Sequence, residues 1–329
     1  MTLLAGSLPA APVDADILIL ALDRIEETLA AIRSSQEQIG VATHLFVLDQ
    51  GSQPAGVERL AEAVRALPNA ALLSVGGNLG VAGGRNFLAR LGSGRAIVAL
   101  DNDAEFAAPD TVARLVAALD AEPRLAAIGC RIVTYADGRD DLSSWGYPAS
   151  LLPSAGDSFD AVTYVGAGHA LRRGAWEQAG GYDGKLFFCW EEYDFCLRAI
   201  ALGWRIRYRG DIVIRHKVSP ERRVCWGAAR WFYFVRNRLY IERKIGATWP
   251  QIAPRAVGYL LKGCRNGLLR QTVRAIRAAR AMAPRARPRK LPREAWSYLL
   301  RNDRAHRGSV MRRLRTEALG RLGAAATAK

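Results

Sequence analysis

The 329-residue sequence contains few cysteines, and their spacing does not indicate a disulfide or a metal site. Its five cysteines are scattered, with no CxxC pair and no histidine at zinc-finger spacing, so we expect free thiols in a reducing cytoplasm. It also lacks a run of about 18 uncharged apolar residues and an N-terminal segment with a basic start, an apolar core and a cleavage site. These absences predict a protein that neither spans a membrane nor leaves the cell by a signal peptide.

Two nucleotide-binding fingerprints are missing as well. No G-x-G-x-x-G follows the first apolar segment, and no G-x-x-x-x-G-K-[ST] occurs anywhere in the chain. Both motifs place backbone amides against phosphates. Their absence argues against a Rossmann dehydrogenase and against a P-loop nucleotidase.

Acidic residues are scarce in the last third of the chain. Residues 1–219 hold 20 Lys and Arg against 26 Asp and Glu, whereas residues 220–329 hold 27 against 5. Because such a basic segment favours a polyanionic partner, we expect either nucleic acid or an anionic membrane surface. The composition predicts a flexible N-terminal arm at 1–14, a folded domain at 15–220 and a basic helical region at 221–329.

Apolar strands and amphipathic helices alternate along the first 120 residues. Continuous apolar runs at 16–22, 44–48, 71–75 and 95–100 are typical of strands buried on both faces. Segments with helical periodicity follow at 26–39, 57–67, 85–91 and 110–119. This alternation predicts an α/β fold with a mostly parallel sheet, in which ligands bind at the carboxyl ends of the strands.

Polar clusters follow each of these strands. They are Leu22 and Asp23, then Asp49, then the glycine-rich segment 78–86, and then Asp101, Asn102 and Asp103. The glycine-rich segment could bring amides and Arg85 to a phosphate, or it could be a plain turn. Two carboxylates at i and i+2 could hold Mg²⁺ or Mn²⁺, or could form an Asx-type turn.

A further acidic cluster lies in an aromatic segment at residues 187–198. Glu191, Glu192 and Asp194 could act in catalysis, or they could be ordinary first-turn acids, with Asp194 paired to Arg198. His216 ends a later strand and could be a metal ligand or a satisfied surface histidine.

Taken in order, these motifs resemble the inverting glycosyltransferases of family 2, which have the GT-A fold, and especially their rhamnosyltransferase-like members. The matching segments are L-D-Q-G-S at 48–52, N-L-G-V-A-G-G-R-N at 78–86, D-N-D at 101–103, G-G-Y-D at 180–183, E-E-Y-D-F-C-L-R at 191–198 and R-N-R at 236–238. The resemblance covers about residues 15–240.

The resemblance implies a role for each matching residue. Nucleotide-sugar contacts would come from the strand ends and the glycine-rich segment, namely Leu22, Asp23, Asp49, Asn78, Gly80, Gly83, Arg85, Asp101 and Asn102. Asp103 and His216 would hold the divalent metal. Glu192 would take the proton from the acceptor hydroxyl, with Glu191 and Asp194 beside it, and helical spacing alone puts Glu191 on the face of Asp194. Gly168, His169 and Trp190 would contact the acceptor.

The basic C-terminal region has a helical pattern of its own at 257–282. Leu260, Leu261 and Cys264 alternate with Lys262 and Arg265, which predicts an amphipathic helix. Its apolar side could lie on the inner face of the plasma membrane, near a lipid-linked acceptor, or could pack on the catalytic domain.

Two rival functions have less support in the sequence than the glycosyltransferase resemblance. A nucleic-acid-binding protein would be motivated by charge alone, since no zinc-finger, RNP or basic-zipper pattern occurs. A sugar-phosphate nucleotidyltransferase would need a glycine-rich basic signature after the first strand, where residues 22–25 read Leu-Asp-Arg-Ile.

Overall fold

A computed structural model describes residues 1–217, 227–283, 290–308 and 322. The strands are β1 (Thr2–Gly6), β2 (Ala15–Ala21), β3 (Thr43–Asp49), β4 (Ala70–Ser74), β5 (Ala96–Asp101), β6 (Ala104–Phe106), β7 (Leu125–Thr134), β8 (Ser158–Ala161), β9 (Gly168–Arg172) and β10 (Arg205–His216). The α-helices are α1 (Ile25–Gln36), α2 (Pro54–Arg65), α3 (Gly80–Ala89), α4 (Thr111–Ala121), α5 (Arg173–Ala179), α6 (Glu191–Ala201), α7 (Ala228–Lys244), α8 (Trp249–Arg265), α9 (Leu269–Met282) and α10 (Arg293–Asn302).

These strands form one mixed sheet in the order β1-β4-β3-β2-β5-β9-β7-β10-β6, with β8 also paired to β10. β4, β3, β2 and β5 are parallel, as are β7 and β10, whereas β9 runs antiparallel between β5 and β7. Helices cover both faces, and an apolar cluster fills each side. The architecture confirms the predicted α/β fold of GT-A type with a helical C-terminal region.

The parallel half of the sheet follows directly from the sequence. β2 and β3 are apolar at nearly every position because both of their faces are buried against helices. The parallel registers bring Ala21 level with Asp49 and Leu20 level with Asp101, so the polar residues after these strands gather at one edge of the sheet.

The N-terminal arm is the first correction. Residues 2–6 are not loose but form an edge strand antiparallel to β4, with Thr2 opposite Ser74 and Gly6 opposite Ala71. Such a short segment gains its order from the strand beside it, and its own pattern carries little signal. The predicted flexible arm over residues 1–14 is therefore wrong for residues 2–6.

Three other elements differ from the sequence prediction. The sequence of residues 162–165 predicts a strand, but that strand is absent, and the chain instead forms β8 and β9 on either side of that segment. The sequence predicts two short strands at 205–208 and 211–215, but these residues form one strand, β10, with an irregularity in its pairing between Arg209 and Val213. The helix expected at 257–282 is two helices, because Gly267 (φ 69°) turns the chain between α8 and α9.

The C-terminal helices pack closely on the rest of the protein. Tyr240 and Ile241 of α7 and Tyr298 of α10 lie in the same apolar cluster as one face of the sheet. α7, α8 and α9 share a further cluster around Trp231. The predicted boundary at 220/221 lies outside the described residues. The basic composition after Pro292 also predicts further helices up to Arg321; α10 is one of them, and residues 309–321 lie outside the described residues. Among the helices that are described, none has the length and apolar character needed to cross a bilayer.

Candidate active site

A carboxylate and imidazole group lies at the edge of the sheet where β5, β6 and β10 meet. Asp101 ends β5, Asp103 lies in the turn to β6, and His216 ends β10, whose pairing places it opposite Ala104. The Nε2 atom of His216 is 3.3 Å from Oδ1 of Asp103. One potential ligand atom from each of the three residues lies within 4.8 Å of the others. The group could hold a divalent metal, as the sequence predicts.

The surroundings of Asp103 test whether a cation fits there. Arg24 places its Nη1 atom 2.6 Å from Oδ2 of Asp103, so the group already attracts a positive charge. Arg24 itself has left-handed backbone geometry, with φ near 51°, at the junction of β2 and α1. Hard oxygen ligands with one imidazole suit Mn²⁺ or Mg²⁺. The donor set therefore fits a divalent ion, with Arg24 as a neighbouring cation.

His216 is held by residues outside the sequence motifs. Its Nδ1 atom is 3.2 Å from Oδ2 of Asp141 and 3.4 Å from Oγ of Ser144. This carboxylate fixes the ring and leaves Nε2 turned toward Asp103, which is how ligand histidines are oriented in metal sites. The Gly, Asp, Ser and Pro residues of segment 134–160 predict either a candidate lid or a plain connection, and no motif in that segment singles out Asp141.

Arg85 joins the metal group to the acidic helix. Its buried guanidinium donates to Oδ1 of Asp101 (2.8 Å), to Oε1 of Glu192 (3.1 Å) and to the carbonyl of Gly166 (2.7 Å). The sequence suggested that Arg85 would reach a phosphate, but all of these contacts are made within the protein. Arg85 therefore sets the relative position of two carboxylates instead of lying open to a ligand.

The two adjacent glutamates lie in different environments. Glu192 keeps 13% of its side chain exposed and faces an open cavity, whereas Glu191 is buried and its Oε2 has no hydrogen-bond partner. Burial raises the pKa of Glu192, while the charge of Arg85 opposes that rise. Burial, reinforced by the charge of Glu192, raises the pKa of Glu191 well above its ordinary range. Helical spacing explains the difference, since Glu191 shares the buried face of Asp194.

Asp194 has structural partners. Its carboxylate accepts hydrogen bonds from Nε of Arg198 (2.9 Å) and from Nζ of Lys244 (2.8 Å), and it is buried. Lys244 belongs to α7, so its pair with Asp194 ties α6 to α7, and the same ammonium group also binds Asp183 in the segment after α5. Asp194 therefore does not reach the cavity, although the sequence placed it among the candidate catalytic residues.

The loop before α6 is held in an uncommon backbone geometry. Phe187, Cys189 and Trp190 all have positive φ angles, which are costly for residues with side chains. Asn237 of α7 is fully buried, and its Nδ2 atom is within 2.9 Å of the carbonyl oxygens of Leu186, Phe188 and Cys189. Asn237 thus bonds three carbonyls of the loop that leads into Glu192, and the neighbouring Arg236 bonds the carbonyls of Lys185 and Leu186.

A cavity of about 320 Å³ opens beside Glu192 and Asp101. Its wall contains Trp190 and Tyr193, whose rings meet edge to face at 5.7 Å and are backed by the guanidinium of Arg238. The remaining lining includes Ser143, Ser144, Trp145, Thr163 and Arg230. An aromatic wall with polar groups suits the faces and hydroxyls of a sugar ring.

The ends of β2 and β3 form a neighbouring surface. Asp49 is buried and accepts hydrogen bonds from the amides of Gly51 and Ser52, whereas Leu22 is 44% exposed. Asp23 accepts from the amide of Gln53, and Asn102 donates to Oγ1 of Thr28 (3.0 Å). These predicted nucleotide contacts lie in one region, but Asp49 and Asn102 also hold the turns that carry them.

The glycine-rich segment has a different use from the one predicted. Its amides are already bonded: Leu79 donates to the side chain of Gln50, Gly80 to that of Asn78, and Val81 to the carbonyl of Phe187. Gly80 (φ 71°) lies against the backbone of Phe187, where a Cβ atom would clash, and Gly83 lies inside α3. The segment braces the loop before α6 and is not an open phosphate cradle.

The predicted acceptor residues divide into two groups. Trp190 lines the cavity, but Gly168 and His169 are buried in β9. The Nε2 atom of His169 lies 3.0 Å from the hydroxyl of Tyr182, and burial lowers the pKa of His169 well below its ordinary value. His169 therefore supports the floor of the site and is not available for direct acceptor contact, which corrects the prediction.

The site has three features that glycosyltransferases share. They are the carboxylate pair of Asp101 and Asp103 that could hold a metal, the facing carboxylate of Glu192, and a cavity large enough for a sugar on a GT-A sheet. The family model of "Glycosyl transferase family 2" matches residues 16–179, which span β2 to α5. That match supports a glycosyltransferase, and it ends before Glu191, Glu192 and His216. A search of the curated proteins found no significant match.

Solved structures share the fold. A mannosyltransferase from Pyrobaculum calidifontis, PcManGT, in complex with GDP-Man and Mn²⁺, is similar over 97% of this chain and 88% of its own, with a TM-score of 0.58 and 16% identity. GalNAc-T7 with UDP, GalNAc and Mn²⁺ is similar over 82% of this chain, with a TM-score of 0.61 and 15% identity. This chain covers 55% of the length of that second protein.

Proposed function

We propose that the protein is an inverting glycosyltransferase that moves a hexosyl or deoxyhexosyl group from a UDP or dTDP donor to a hydroxyl of a glycan or lipid-linked acceptor. The observation that carries this proposal is the arrangement around Arg85. One guanidinium holds Asp101, of the metal group, and Glu192, on the cavity wall, in fixed relation. Donor and acceptor groups would thus meet between two carboxylates with separate tasks.

Each carboxylate has a task in this reaction. Glu192 takes the proton from the acceptor hydroxyl as its oxygen attacks the anomeric carbon, and the bond from that carbon to the diphosphate breaks on the opposite face. The nucleoside diphosphate leaves with the bonding electron pair. A divalent metal, Mg²⁺ or Mn²⁺, held by Asp103, His216 and Asp101 would neutralise the charge that develops on the diphosphate. The exposed Leu22 with Asp23 and Asp49 would surround the base.

The order of the sequence motifs supports a rhamnosyltransferase-like enzyme. The basic C-terminal helices support peripheral attachment to the inner face of the plasma membrane, where lipid-linked acceptors are found. We therefore place the reaction in the assembly of a cell-surface polysaccharide or glycolipid.

Matched glutamine substitutions test the assignment of the base. Glu192→Gln should lower transfer by about 10² to 10⁴-fold, because the group that accepts the proton is lost. Glu191→Gln should retain transfer, because Glu191 is buried away from the cavity and glutamine has nearly the same shape. The assay is release of nucleoside diphosphate from UDP-, dTDP- and GDP-sugars, with the anomeric configuration of the product read by NMR. Retained configuration, or activity lost only in Glu191→Gln, would contradict the mechanism.

A further inference from the structure

The outward side of α8 presents an apolar row to solvent. A helix turns about 100° per residue, so Ala253, Val257, Leu261 and Cys264 lie within one narrow sector, and all four are exposed. Val257 and Leu261 are each 53% exposed. The opposite side of α8 is used in packing, because Ile252 and Tyr259 lie in the cluster around Trp231. The helix therefore has two apolar sides, and the described residues cover only one of them.

The next helix presents arginines on its outward side. Arg270, Arg274, Arg277 and Arg280 of α9 are exposed, while Thr272, Ala275 and Ala279 are buried on the inner side. No Asp or Glu occurs anywhere in residues 243–293. α8 and α9 are joined by a short turn and pack on each other and on α7. An exposed aliphatic row thus lies beside a row of positive charge.

We propose that this surface, the outward side of α8 and α9, docks the protein on an anionic phospholipid bilayer. The inference gives a molecular basis to the membrane location in the proposed function and rests on it. Aliphatic side chains would enter the boundary between headgroups and acyl chains, while the arginines would contact lipid phosphates. Arginine donors match phosphate oxygens in pairs, which strengthens each contact.

Other occupants fit the chemistry less well. Nucleic acid would use the arginines but would gain nothing from Val257 and Leu261, and the apolar row carries no aromatic ring on which a base could stack. A second copy of this chain would bring like charges together across a two-fold interface. Leu322, the described residue of the C-terminal segment, packs against the buried cluster shared by α7, α8 and α9.

Vesicle binding by the full-length protein tests the proposal without any sugar nucleotide. The protein should sediment with vesicles of phosphatidylcholine mixed with phosphatidylglycerol, and only weakly with phosphatidylcholine alone. Arg274→Gln combined with Arg277→Gln should lower the partition coefficient about 30-fold at low salt, and the difference should shrink as salt is added. Val257→Asp combined with Leu261→Asp should lower it at least about tenfold at all salt concentrations.

Matched controls are available on the catalytic domain. Ile39→Asp introduces a charge at an equally exposed apolar residue, and Arg33→Gln combined with Arg90→Gln removes two exposed arginines there. These variants should bind vesicles like the unaltered protein, and all variants should keep the same circular dichroism spectrum. Unchanged vesicle binding by both sets of α8 and α9 variants would overturn the proposal.

Two further results would also overturn the inference. One is a protein that does not bind vesicles but binds oligonucleotides, with binding lost in Arg274→Gln combined with Arg277→Gln and unaffected by Val257→Asp. The other is a change in oligomeric state without vesicle binding, which would make the surface a contact between copies. Vesicle binding by a protein that cleaves no donor would refute the proposed transfer reaction and leave the docking surface intact.

Discussion

Replacing Arg85 by methionine removes one cation from between two carboxylates. The Arg85 side chain is 4% exposed, and loss of a buried ion-pair partner costs about 3 to 5 kcal/mol. We expect the lower end, about 3 kcal/mol, because the Asp101 side chain is 39% exposed and can regain water. Transfer should fall about 100-fold or more, since Glu192 would no longer be held in position. Urea unfolding and initial rates measure the two effects.

The pH dependence of the same variant separates catalysis from folding. The charge of Arg85 lowers the pKa of Glu192, so its removal raises that pKa. A base acts only when ionised, and the acidic limb of kcat/KM should therefore move to higher pH. Arg85→Lys should return the acidic limb of kcat/KM to its original pH without restoring the full rate. The control is Arg90→Met, which replaces an exposed arginine. An unmoved acidic limb together with unchanged unfolding would refute the assignment of Arg85.

Two other perturbations address the metal group and the buried histidine. Arg24→Met should tighten Mn²⁺ binding about three- to tenfold in calorimetry without nucleotide, because the guanidinium no longer competes with the ion at Asp103. The control Arg33→Met should leave Mn²⁺ binding unchanged. Weaker binding by Arg24→Met would mean that Arg24 organises the metal group. Burial lowers the pKa of His169, so below about pH 6.5 the unfolded chain binds a proton that the folded protein excludes. The free energy of unfolding should therefore fall by about 1.4 kcal/mol for each unit by which the pH is lowered in this range. His169→Gln should remove that contribution in urea titrations; an unchanged slope would contradict it.

The parallel half of the fold and the metal group were predictable from sequence for a physical reason. Strands buried on both faces must be apolar throughout, and their polar ends meet at one edge of a parallel sheet. Asp101, Asp103 and His216 stand at such ends. Helical spacing alone puts Glu191 on the face of Asp194, and the structure shows that this face of α6 is buried while Glu192 lies on the cavity wall.

Other features depend on contacts between distant parts of the chain. The edge strand at residues 2–6 forms because β4 is beside it, and the arginine of the glycine-rich segment turns inward because Glu192 and Asp101 meet it there. Asp141 carries no local pattern that separates it from ordinary loop residues. Asn237 lies in the R-N-R segment that resembles the family, but that pattern does not say which carbonyls its side chain binds. The turn at Gly267 did have a signal, since Asn-Gly is typical of a helix C-terminus.

The hydrogen bonds of Asn237 have a consequence for the order in which parts of the site can form during synthesis. Synthesis proceeds from the N-terminus, and the last ligand of the metal group, His216, precedes Asn237 by about 20 residues. At about 5 to 20 residues per second, that interval lasts roughly one to four seconds. A nascent chain that has just produced its metal ligands still lacks the side chain that fastens the loop before Glu192. The bonds from α7 to the loop before Glu192 therefore form only after the chain has entered its basic C-terminal region, so this side of the cavity is completed by the segment that also carries α8 and α9.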